Sequence, residues 1–155
     1  MRAFAPLVSL VMACGSDPPE APTTGKAELR FSVSNTARRD RNLMDALRGT
    51  IHGAVYRADQ VTVTGPVDGA ESVDSVLATN VDLTIKDAVT EVLHTTVEVP
   101  PAKYMFLGFF DVDGNGEVSE EPDSGDPVTL PINDFEVKAG ITTPVVAAFD
   151  LIYGG

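Results

Sequence analysis

The sequence predicts an all-β chain folded as a single antiparallel β-sandwich, and three observations predict it. Apolar and polar residues alternate with period two through Leu29, Phe31 and Val33, again over 81–85 and again over 93–99, the spacing of a strand with one buried face. Short apolar runs recur between turn residues such as Gly65-Pro66, Asp68-Gly69 and Asn80, the rhythm of sandwich strands and their connections. Val, Thr and Gly are frequent and Trp is absent, which suits half-buried strands better than helices.

Each element follows from its local pattern. Residues 26–33 form a first strand, with Leu29, Phe31 and Val33 inward and Glu28, Arg30 and Ser32 toward water. Residues 35–48 are polar, with Leu43, Met44 and Leu47 at spacings that allow a helical turn or two. Arg38, Arg39 and Arg41 there read as charges on a solvated loop rather than an anion site. Strands are predicted over 50–56, 61–64, 72–77, 81–85 and 93–99. Pro100-Pro101 then turns the chain into 104–110, which is apolar on both faces and so belongs at the centre of its sheet. Beyond an acidic stretch, 128–132 is broken by Pro131, 135–137 is short, and 143–153 is a long apolar closing strand whose Asp150 points to solvent. No internal repeat is present, and 155 residues suffice for one domain with a core that needs no disulfide.

The N-terminal stretch carries an address. One positive charge at Arg2, an apolar run over 3–11 and a small residue at Ala13 precede Cys14, the only cysteine. Val11-Met12-Ala13-Cys14 resembles the lipobox of bacterial lipoproteins, although Val11 and Met12 are unusual at their positions. The resemblance implies a signal peptide at 1–13, a diacylglyceryl-modified Cys14 and attachment to a membrane through that lipid, in the outer membrane or at the cell surface. Residues 14–25, rich in Pro, Gly and acid, read as a flexible tether, and 26–155 as the β-sandwich domain.

A Pro-rich turn, an aromatic strand and a DxDxNG loop follow one another over 97–117. That order is similar to small bacterial envelope domains of the prealbumin or carboxypeptidase-regulatory type, with Ala102 standing where those domains commonly have Gly. The resemblance implies an antiparallel sandwich, prealbumin-like or Ig-like, and no catalytic activity.

The acidic stretch 109–123 raises the question of what neutralises it, because no Lys or Arg occurs between Lys103 and Lys138. A hard cation takes six to eight oxygens, and a glycine that turns the chain back brings alternate side chains onto one centre. The stretch resembles the first half of an EF-hand loop: Asp111, Asp113 and Asn115 at alternate positions, Gly116 at the sharp turn, Glu117 offering its carbonyl and Val118 following. The second half departs from that pattern, with Pro122 in place of the bidentate Glu and a strand rather than a helix leading in. The resemblance implies a structural calcium ion held by Asp111, Asp113, Asn115, Glu117 and Ser119, with Glu121 or Asp123 closing the sphere and Glu120 a weaker alternative.

A formal charge of −12 repels phosphates and anionic surfaces, which excludes nucleic acid as a partner. His52 and His94, the only histidines, lie in strand-like runs away from any catalytic motif, so no enzyme is expected. The expected function is a lipid-anchored envelope module with a structural calcium site, presenting a surface to an unidentified envelope protein or glycan. The alternative is a structural or adhesive envelope lipoprotein without an ion.

Overall fold

The computed structural model describes residues 21–40, 47–85, 88–116 and 121–154. In chain order its elements are β1 (Lys26–Val33), α1 (Asn35–Asp40), β2 (Arg48–Arg57), a three-residue helical turn (Ala58–Gln60), β3 (Val61–Thr62), β4 (Gly65–Pro66), β5 (Asp74–Asp82), β6 (His94–Thr95), β7 (Ala102–Asp111), β8 (Pro127–Val128), β9 (Asp134–Val137), β10 (Thr142–Phe149) and β11 (Leu151–Ile152). Residues 1–20, which hold the expected signal peptide 1–13, Cys14 and the first part of the expected tether, lie outside the described residues.

The fold is an all-β sandwich. One sheet has the order β10-β1-β6, and the other runs β11-β8-β7-β2-β5 with β9 also paired to β7. Alternation makes the core: Ala27, Leu29, Phe31 and Val33 of β1 are buried while the residues between them are not. Across the gap Phe31 meets Phe106 of β7 edge to face at 5.3 Å, and Phe149 of β10 meets Phe110 of β7 at 6.0 Å. These rings, with Leu29, Ile51 and Val55, are almost wholly removed from water, and aromatic pairs of this geometry stabilise beyond their buried area.

β7 lies at the centre of its sheet, as its two apolar faces predict. It pairs with β2 over eight residues on one side and with β8 and β9 on the other. Gly53 and Gly108 stand directly opposite each other in this pairing. A Cβ on either would come within 2.6 Å of the Phe106 ring, so the two glycines open the slot that this core ring fills. At the start of β7 the Tyr104 hydroxyl donates to the Pro100 carbonyl at 2.7 Å, the tyrosine-corner arrangement that fixes the entry to a sandwich strand. The free edges of the two sheets are joined where His94 of β6 meets Asp74 of β5 at 2.8 Å, with the Val97 amide donating to the same carboxylate oxygen.

Several expectations are corrected. Strands predicted separately over 72–77 and 81–85 form one strand, β5. Asn80, read as a turn, takes φ 57° within it, and the pairing with β2 shifts register there, so the residue makes a bulge rather than a break. The strand predicted over 93–99 is reduced to β6 and one bridge between Val99 and Gly25. The predicted run 61–64 becomes the two-residue arms of the β3–β4 hairpin, and 128–132 reduces to β8. The closing strand 143–153 is two strands in different sheets, β10 and β11. Asp150 lies at the crossover, its amide donating to Val128 and its carboxylate accepting from Asn133. Pairing is also not wholly antiparallel, since β1 and β10 run parallel in unbroken register from Lys26 opposite Thr142 to Val33 opposite Phe149.

The arginines after β1 do not form an anion site among the described residues. Arg38 is 8% exposed and donates to the carbonyls of Val33, Leu83, Thr84 and Ile85, tying α1 to the chain that follows β5. Arg39 donates to Asn35, and Arg41 lies outside the described residues.

Candidate metal centre

β7 delivers Asp111 to the end of the sandwich with its carboxylate 1% exposed. Three amides of the following turn point back at it: Asp113 and Gly114 donate to Oδ1 at 3.2 and 2.8 Å, and Gly116 donates to Oδ2 at 3.0 Å. The turn needs glycine for two different reasons. Gly114 has φ 82°, a conformation side chains disfavour. A Cβ on Gly116 would sit 3.1 Å from Asp111 Oδ2 and 2.9 Å from the Phe109 ring, which would push its amide off the carboxylate.

Hydrogen bonds link the polar side chains of the turn to one another. Asp113 accepts from the Asn115 amide at 3.2 Å and from its side chain at 3.1 Å, and Asn115 Nδ2 also donates to Asp123. Asp111, Asp113, Asn115 and Asp123 are thus brought to one loop cluster. Of the two closing candidates, Asp123 is the one hydrogen-bonded to Asn115; Glu121 is exposed. Glu117, Ser119 and Glu120 lie outside the described residues.

Sequence reasoning missed Asp126. It is 0% exposed, accepting from the Val112 amide at 3.3 Å and the Asp123 amide at 3.2 Å, so it binds the two arms of the loop together. β11 holds this arm in place, with Gly125 donating to Tyr153 and Tyr153 donating to Asp126, each at 2.8 Å. The available signal was the stretch without Lys or Arg, which runs on past Asp123 to Lys138.

Electrostatics differ at the two buried carboxyls. Burial pushes Asp111 up, but the amides of Gly114, Gly116 and Asp113 together outweigh it and hold the group below the usual carboxylate range. Burial pushes Asp126 up as well; its two amide bonds offset this only in part, and the like charges of Asp123 and Asp111 add to the rise. No ion pair with Lys or Arg at Asp111, Asp113, Asp123 or Asp126 occurs among the described residues.

The donor set consists of hard oxygens, which fits calcium and not a thiolate- or imidazole-seeking metal. Asp111 Oδ1 already accepts two amides, whereas Asp111 Oδ2 and each oxygen of Asp126 accept one and keep a further lone pair. Among the described residues no three or more acidic, His or Cys side chains are placed so that they could together hold a metal ion. Residues 117–120 fall within the stretch that would contribute the remaining oxygens.

The histidines are not brought to Asp150. His94 is held by Asp74, and His52 stacks on Phe109 in a cavity that does not include Asp150. No protein-family model matches the chain, and no curated protein or solved structure is significantly similar to it.

Proposed function

We propose that the chain is a lipid-anchored cell-envelope module: a β-sandwich of the prealbumin-like or Ig-like kind, carried on Cys14, with a structural calcium ion in the 111–126 loop and a surface offered to an envelope protein or glycan. The observation that carries the calcium reading is the pair of buried carboxylates, Asp111 and Asp126, set beside Asp113 and Asp123 with no cationic side chain paired to them among the described residues. Burying like charges without a counter-charge is costly. A divalent cation bound there would neutralise them and lock the end of β7 to β11. Asp111, Asp113, Asn115, Asp123 and Asp126 would hold it, with Glu117, through its carbonyl, and Ser119 from the sequence pattern. The anchor reading is supported by the charged start, apolar run and small residue before Cys14.

The runner-up, an envelope lipoprotein with no ion, is favoured by one observation: Asp111 and Asp126 already accept five amide hydrogen bonds between them. Thermal melting separates the two readings. If calcium raises the melting temperature and a chelator lowers it, the loop is an ion site; identical curves would leave it a hydrogen-bonded turn.

A further inference from the structure

The outward face of the larger sheet carries a cavity of about 960 Å³, apart from the acidic loop's carboxylates and within the size range of small-molecule sites, about 300–1,000 Å³. His52 of β2 and Phe109 of β7 stand opposite each other in register and stack at 5.0 Å with 9° between their planes. Leu77 of β5, Val63 of the β3–β4 hairpin, and Leu151 and Tyr153 at the chain's end also line it. All four are exposed, Val63 at 84% and Leu77 at 67%.

Two properties say what would occupy it. Among the described residues no Asp, Glu, Lys or Arg lines the cavity, although the chain carries 23 acidic and 11 basic residues. A charged ligand would give up its water there and find no counter-charge, so charge complementarity selects an uncharged one. Second, His52 Nε2 is closed off from water and has no hydrogen-bond partner among the described residues, a state that costs stability and is rare in folded proteins. The side chain facing His52 across the strand pair is Leu77, which is exposed, so a ligand that displaces it would reach the ring. A hydroxyl both donates and accepts, and therefore serves either tautomer of the ring.

We infer that this cavity binds a small, uncharged, mainly apolar molecule bearing one hydroxyl group, which pairs with His52 Nε2 while the apolar body covers Leu77, Leu151 and Tyr153. The inference does not rest on the calcium reading, because Asp111, Asp113, Asn115, Asp123 and Asp126 do not line the cavity.

The probe is 2-naphthol, compared with naphthalene and 2-naphthoate; the chain has no Trp, so naphthyl fluorescence reads binding directly. Saturable binding of one 2-naphthol per chain is expected, about tenfold tighter than either comparison molecule, with the His52 and Leu77 amide resonances shifting. His52→Phe keeps an aromatic ring against Phe109 and should erase the advantage of 2-naphthol over naphthalene. Leu77→Lys, at an exposed position, should weaken both, and it decides the question if His52→Phe does not fold. Failure of 2-naphthol to saturate, shifts confined to another surface, a hydroxyl preference that survives His52→Phe, or unchanged affinity in Leu77→Lys would each overturn the inference. So would sedimentation showing a second copy of the chain seated on this face and excluding the probe.

Discussion

Asp126→Asn separates the two roles a buried carboxylate can have. Asp126 is wholly buried, accepts from two amides and lies beside Asp111 and Asp123. Asparagine fills the same space but presents NH₂ to one of the two amides, so one hydrogen bond to a charged group is lost, about 1.5–3 kcal/mol. Against this, the substitution removes a buried charge that its neighbours repel, and in calcium-free buffer at neutral pH the two effects oppose each other. The net change should therefore stay within about 1–2 kcal/mol. Calcium gives the contrast. An ion that binds only the folded state stabilises by about 2.7 kcal/mol at a hundredfold excess over Kd. At about 4 °C per kcal/mol for a domain of this size, the parent should melt about 10 °C higher in calcium than in chelator. Asp126→Asn should lose most of that interval. The assay is circular dichroism melting at matched ionic strength with and without calcium. A variant whose calcium interval equals the parent's would refute the placement of Asp126 in the ion site.

The pH dependence follows from the same two carboxyls. Asp126, raised in the folded chain, contributes stability that is complete below its unfolded value of about 3.9 and is lost as pH rises through its folded value. Asp111, lowered, contributes stability that is present above that unfolded value and lost as pH falls. Calcium requires both deprotonated, so the melting interval between calcium and calcium-free buffer should widen from pH 4 to pH 7, and a constant interval would contradict the assignment. Phe31→Ala, at a 0% exposed ring between Phe106 and Phe149, should cost about 3–5 kcal/mol in urea unfolding. Cys14→Ala should move the protein from the membrane fraction to the soluble one; unchanged fractionation would count against the lipid anchor.

The readable parts of the fold were those in which one residue type has one physical consequence. Alternation at Leu29, Phe31 and Val33 can only bury every second side chain, and β1 does so. The doubly apolar run before Asp111 required cover on both faces, and β7 is central. What escaped the sequence depended on partners distant along the chain. Asn80 is a turn residue by type, yet β2 runs past it and converts the expected turn into a bulge. Asp150 breaks an apolar run in a way that looks like a solvent-facing position. Only the assignment of β10 to one sheet and β11 to the other makes it the point where the chain crosses between them. At the acidic loop, a turn held by Asp111, Asp113 and Asn115 was legible from their spacing and the glycines among them. Asp126 was missed because its burial comes with the pairing of the chain beside it to residues 151–153, which are distant in sequence.

Isothermal titration of calcium into the full, chelator-treated chain decides whether the 111–126 loop is a calcium site. One ion per chain should bind saturably, at least about tenfold more weakly in Asp111→Asn and with unchanged affinity in Glu20→Ala. Absence of binding heat up to millimolar calcium, confirmed by equilibrium dialysis, would contradict the calcium reading and leave the buried carboxylates as hydrogen-bonded supports of the turn.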